Sequence, residues 1–188
     1  MGPYSHLLKV YAMIIMINGS FGAGKTTVAR LICEAIPDST FYDPEWVGSV
    51  LRRLPRWIPL TGSGTDDFQD INLWRRSVVT GIRLFRAFAA GPVIVPMTFT
   101  HYPYLDEIMV GIRRFDSDVR LFCLQASLAT VKQRLAARGT PAEGPDGVWL
   151  ARRIEECAAV HGDPRFGEPI DTEERSAKAV VNEILKRV

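Results

Sequence analysis

Eight consecutive residues, Gly19-Ser-Phe-Gly-Ala-Gly-Lys-Thr26, fit the pattern GxxxxGK[ST]. Gly19, Gly22 and Gly24 allow the backbone to curl so that successive N–H groups converge on an anion. A helix opening directly after such a loop adds the partial positive charge of its N-terminus. In that setting Lys25 reaches the β- and γ-phosphates of a nucleoside triphosphate, and the Thr26 hydroxyl serves Mg²⁺. Ser20, Phe21, Ala23 and Thr27 complete the expected ATP-binding set. The chemistry anticipated is therefore ATP binding with Mg²⁺, with Thr26 as the expected metal ligand.

Further residues could turn binding into phosphoryl transfer. Asp43 falls where a second strand should end, on the ligand-binding edge of a parallel sheet. A carboxylate there can orient or deprotonate an acceptor hydroxyl; the plain alternative is that it caps a turn. Glu45 is a weaker companion. Arg134 and Arg138 lie four residues apart and share a helix face. They stand just before a Gly/Pro loop, a place suited to stacking on adenine and neutralising a transferring phosphate. Arg152 or Arg153, beyond that loop, could close on the same phosphates. The mixed segment from Asp66 to Arg75 suits a polar, ring-bearing acceptor, with Asp67, Gln69 and Arg75 as its expected contacts. Thr98 and His101 lie just past a third strand, near the same edge. That strand, Val93-Ile-Val-Pro-Met-Thr98, lacks the closing carboxylate of a Walker B motif. Metal binding must then rest on Thr26, phosphates and water, and an ATP-driven motor is disfavoured.

These residues need a scaffold that delivers strand ends to one edge. Met13–Asn18 is a continuous apolar run, as in a buried parallel strand. A helix is predicted from Lys25 to about Ile36, then strand Thr40–Tyr42, a helix over Glu45–Leu54 and an irregular loop over Pro55–Gly64. Trp74, Val78, Ile82 and Phe85 recur at helical spacing within a helix of about Asp70–Ala90. Strand Val93–Val95, helix Pro103–Phe115 and strand Val119–Leu124 follow. Ser127 can cap a helix bearing Leu128, Val131 and Leu135. Residues Gly139–Gly147 suggest a mobile lid loop, followed by a helix over Val148–Val160, a fifth strand near Phe166–Ile170 and a last helix from about Glu174. The fold expected is α/β: a three-layer, P-loop kinase-like fold, with a five-stranded parallel sheet flanked by helices. One domain covers 13–188, and 1–12 form an N-terminal extension.

Composition agrees with one globular domain. The chain has 188 residues, 47% hydrophobic and 23% charged, so disorder is not expected. A formal charge of +2 is too small to indicate nucleic acid. Cys33, Cys123 and Cys157 are widely separated and lie in apolar segments, which suggests buried reduced thiols and a cytoplasmic setting. No apolar run suggests a membrane span, and the N-terminus does not read as a signal peptide.

Several segments together resemble the tunicamycin-resistance ATP-binding protein family, relatives of the small P-loop kinases. They are Ile17-Asn-Gly-Ser-Phe-Gly-Ala-Gly-Lys-Thr26, Tyr42-Asp-Pro-Glu45, Asp66-Asp-Phe-Gln69, Leu73-Trp-Arg75 and Val95-Pro-Met-Thr98, with Trp149, Ile154, Cys157, Pro164 and Phe166 beyond. The resemblance runs from about Met13 to the C-terminus. It implies a five-stranded parallel sheet, ATP binding, and a link to resistance against a nucleoside antibiotic. It also implies that Asp43, Asp67, Gln69 and Arg75 line the pocket beside the phosphates. The leading expectation is ATP-dependent phosphoryl transfer to a hydroxyl of a tunicamycin-like nucleoside, by Lys25, Asp43, Arg134 and Arg138. An ordinary nucleoside or sugar metabolite as acceptor, and a binding protein that sequesters the antibiotic without chemistry, stay open. The partner expected is a small molecule, not nucleic acid, in a monomer or homodimer.

Overall fold

The computed structural model describes residues 13–44, 68–140 and 144–188. The expected helix at Glu45–Leu54, the loop at Pro55–Gly64, the extension 1–12 and the candidates Glu45 and Asp67 lie outside them. Five strands alternate with helices: β1 (Ile14–Gly19), β2 (Thr40–Phe41), β3 (Val93–Pro96), β4 (Val119–Gln125) and β5 (Glu168–Asp171). All strand pairs are parallel, in the order β2-β3-β1-β4-β5. Parallel strands need crossovers, and the described residues supply six helices. These are α1 (Lys25–Ala35), α2 (Asn72–Phe88), α3 (Tyr102–Arg113), α4 (Leu128–Ala137), α5 (Gly144–Val160) and α6 (Ala177–Leu185).

The sheet's alternation explains why β1 reads as unbroken apolar sequence. Ile14 and Met16 face one core with Trp74, Val78 and Ile82 of α2 and Ile108 of α3. Ile15 and Ile17 face the other with Val28 and Ile32 of α1 and Val181 and Ile184 of α6. Every residue of β1 is buried, as a central strand covered on both faces requires. The β1–β3 register pairs Ile14 with Val93 and Ile17 with Pro96, so both strands end at one edge.

Three details differ from the spacing-based expectation. Helix α5 starts at Gly144, four residues before Val148, so Gly144–Gly147 are helical and not loop. Phe85 sits at the margin of the α2 stripe, 39% exposed, with its ring on Tyr42 at 4.8 Å. Cys33 is only half-buried, while Cys123 and Cys157 are fully buried; all three thiols are free. Burial pushes the Cys123 thiol up to about 12 and raises Cys157, so neither is a nucleophile near neutral pH.

Candidate functional site

At the edge where β1 ends, its neighbours β3 and β4 connect in opposite directions, the kind of crevice where open parallel sheets bind ligands. The Gly19–Thr26 loop fills it. Gly22 (φ +81°) and Gly24 (φ +99°) are left-handed, a conformation that side chains rarely adopt. At Gly22 an added Cβ would also press on the Val131 carbonyl at 3.1 Å, whereas at Gly24 it would meet nothing within 4 Å. The loop is thus packed on its α4 side and open on the other.

Helix α1 begins on Gly24 with no side-chain cap and no acidic residue in its first turn. Its first N–H groups lack the intrahelical acceptors that later turns enjoy. They are left for an anion. Lys25 is 7% exposed, donates to the Ser20 carbonyl at 3.0 Å and lies over the Phe21 ring at 5.4 Å. Phe21 in turn packs edge-on against Trp149 of α5, with ring centroids 5.5 Å apart. Thr26 and Thr27 are exposed at the mouth. Oriented backbone donors, a buried ammonium and an adjacent hydroxyl form a donor set suited to a polyphosphate with a hard cation.

A cleft of about 300 Å³ joins Gly24, Lys25, Thr26, Asp43, Arg138 and Thr140. Asp43, two residues past β2, therefore borders the same space as the lysine. Arg138 borders this cleft and a smaller neighbour of about 160 Å³ shared with Gly22, Thr27 and Arg134. Arg134 is pinned there: its guanidinium donates to the Thr172 hydroxyl at 3.1 Å and the Thr172 carbonyl at 2.6 Å.

Gln69, Arg75 and Thr98 are brought together, but they face inward. The Gln69 amide donates to the Thr98 carbonyl, and Arg75 donates to the Gln69 carbonyl at 2.6 Å. Arg75 also pairs with Glu107 and lies 4.3 Å from the Tyr104 ring centre. All three are buried, and the Thr98 hydroxyl has no hydrogen-bond partner. His101 is exposed beside Tyr104 at the start of α3. Of the two candidate arginines on α5, Arg152 pairs with Glu156 on the surface. Arg153 is buried and donates to Thr100 at 3.0 Å and Glu156 at 2.8 Å.

Sequence reasoning passed over Asn18. Only 1% exposed, it accepts from the backbone N–H of Gly19 (2.8 Å) and Phe99 (2.9 Å) and donates to the Phe166 carbonyl (3.0 Å). One side chain thus staples the start of the phosphate loop to the segments after β3 and before β5. Its signal was a lone amide closing an apolar strand, since a buried amide must find partners. His161 was missed too. It is buried with Nε2 2.7 Å from the Phe99 carbonyl, and burial lowers its pKa.

A family model described as an AAA domain matches residues 14–153. The chain belongs to this AAA-domain family. The match spans the phosphate loop, Asp43, Arg134 and Arg138. No curated protein sequence matches the chain. Among solved structures it resembles the Deinococcus radiodurans tunicamycin resistance protein, with 28% identity and a TM-score of 0.71, covering 94% of this chain and 95% of that one. It also shares its fold with a gluconokinase from Sinorhizobium meliloti 1021 (21% identity, TM-score 0.63, 94% and 91% covered). A shikimate kinase from Acinetobacter baumannii in complex with shikimate shares it as well (15% identity, TM-score 0.59, 93% and 92% covered). The family member described here thus has a kinase-like P-loop fold, and the motif-based resemblance to the tunicamycin-resistance family is matched in three dimensions. No described helix is long and apolar enough to cross a membrane.

Proposed function

We propose that the protein transfers the γ-phosphoryl group of ATP to a hydroxyl of a small molecule, with a tunicamycin-like nucleoside as the leading acceptor. The observation that carries this reading is the shared cleft: an uncapped helix N-terminus, the buried Lys25 and the Asp43 carboxylate border one space. Backbone N–H groups and Lys25 hold the phosphates and offset charge that builds on the transferring group. Thr26 would hold Mg²⁺ through its hydroxyl, and the ion would supply further charge neutralisation. Asp43 orients the acceptor hydroxyl and takes its proton as the new P–O bond forms and the bond to the leaving nucleoside diphosphate breaks. Arg138, bordering both clefts, is suited to stabilise charge between donor and acceptor. The proposed setting is cytoplasmic.

The test is mass spectrometry of tunicamycin after incubation with the protein, ATP and Mg²⁺, with Lys25→Ala as control. A phosphate-mass adduct formed by the wild type alone is the expected result. One feature favours a second reading, ATP-dependent sequestration: β3 runs into Pro96-Met-Thr98 with no carboxylate to steady the metal. Unaltered tunicamycin bound in a one-to-one, ATP-dependent complex would select it over catalysis.

A further inference from the structure

Another cavity lies between the C-terminal end of β4, the start of α4 and the last turns of α5. It measures about 280 Å³, room for one ring with a small substituent. Ser20, Val131, Ile154, Cys157 and His161 belong to its buried wall, and Ser127 and Ala158 to its exposed margin. It shares no lining residue with the two clefts that hold Lys25, Asp43 and the arginines.

Its chemistry differs from theirs. Among the described residues, no Asp, Glu, Lys or Arg side chain borders it. A charged ligand would leave water there without a partner charge, which is costly. Hydrogen bonding is on offer all the same. The Ser20 hydroxyl, on a residue 8% exposed, makes no regular hydrogen bond among the described residues, and the Cys157 thiol beside it is a weak partner. A buried hydroxyl in that state calls for a better one. His161 supplies the complementary group. Its Nε2 lies 2.7 Å from the Phe99 carbonyl, which only accepts, so Nε2 carries the proton and Nδ1 is a bare acceptor. Burial lowers the pKa of the ring, which favours this neutral form.

Ser20 can donate, His161 can accept, and much of the remaining wall is apolar. A carboxamide answers both groups: its carbonyl accepts from the hydroxyl, and its amine donates to the ring nitrogen. A carboxylate, all acceptor, would set its charge against Nδ1. We propose that this cavity is a second small-molecule site, separate from the clefts for nucleotide and acceptor, and that it takes an uncharged ring bearing a carboxamide. Such binding does not require phosphoryl transfer, so either reading can fail without the other.

Amide chemical-shift titration of the full chain by NMR tests this, with benzamide as the probe and benzoate as its charged counterpart. Benzamide should bind saturably and shift the amides of Ser20, Cys157 and Ala158, and benzoate should bind at least about tenfold more weakly. Ala158→Leu places a good helix former at an exposed position of α5 and fills the margin. It should abolish binding while the rest of the spectrum stays that of the folded chain. Ser20→Ala removes the donor and should weaken benzamide about fivefold, the scale of one hydrogen bond. Saturating ATP with Mg²⁺ should leave benzamide bound. Absence of saturable binding, benzoate as tight as benzamide, or wild-type affinity in Ala158→Leu overturns the inference. Displacement of benzamide by ATP overturns the separateness of the site, and an unchanged Kd in Ser20→Ala overturns the role given to Ser20.

Discussion

The phosphate-loop side and the Gln69–Arg75–Thr98 side of the molecule are built on different principles. The first is made of backbone: left-handed glycines, uncapped helix N–H groups and one buried lysine, open toward a cleft. The second is made of side chains that reach back into the protein, where Arg75 ties to Glu107, Tyr104 and Gln69, and Gln69 ties to Thr98. The open side turns its donors toward the cleft. The closed side spends them on the fold. A charged residue near an active edge can thus serve either end, and its partners decide which.

Lys25→Ala breaks this contrast from the open side and carries the largest expected effect. Activity should fall by about a hundredfold or more, on the scale of removing one donor aimed at transition-state charge, in a steady-state assay of nucleotide turnover. The unfolding midpoint should hardly move; a large loss of stability would mean that Lys25 is structural after all. Asn18→Ala strikes the junction of the two sides. It leaves the buried N–H groups of Gly19 and Phe99 without their acceptor, at a cost of about 2–4 kcal/mol in urea unfolding.

Arg75→Ala probes the closed side. With Glu107 partly exposed, solvent screens part of the pair, and the expected loss is about 2 kcal/mol of stability. Nucleotide affinity measured by titration should stay close to wild type; a collapse of binding with unchanged stability would erase the proposed division. The smallest effect concerns pH. His161 is buried and its pKa lies below the ordinary value of 6.5, so folding favours the neutral ring. Its contribution is complete above about 6.5 and is lost as pH falls through the lower folded-state value. Unfolding midpoints should therefore drop between pH 7 and 5, and His161→Gln should flatten that slope.

The same division explains what was legible in the sequence. Phosphate recognition needs glycines, lysine and threonine at fixed spacing on contiguous chain, so Gly19–Thr26 declares itself in eight letters. Strand β1 and the Trp74/Val78/Ile82 stripe were equally plain, because burial on a periodic element leaves a periodic trace. The inward turn of Gln69 and Arg75 left no such trace. Their partners Thr98 and Glu107 lie about thirty residues away, and nothing local sets a ligand contact apart from a buried strut. The start of α5 was placed late because glycines at 144 and 147 look like a loop, yet both are helical. Asn18 was overlooked for the opposite reason: it sits in an apolar run and was read with its neighbours.

The edge-on contact between Phe21 and Trp149 gives the chain an optical gauge of its own. Indole emission responds to what lies against the ring. This indole sits on α5, with its neighbour on the phosphate loop beneath the lysine. A ligand that draws Lys25 off the Phe21 ring, or lifts α5 away from the loop, changes the surroundings of a fluorophore that needs no label, and seating of the helix can be followed in real time.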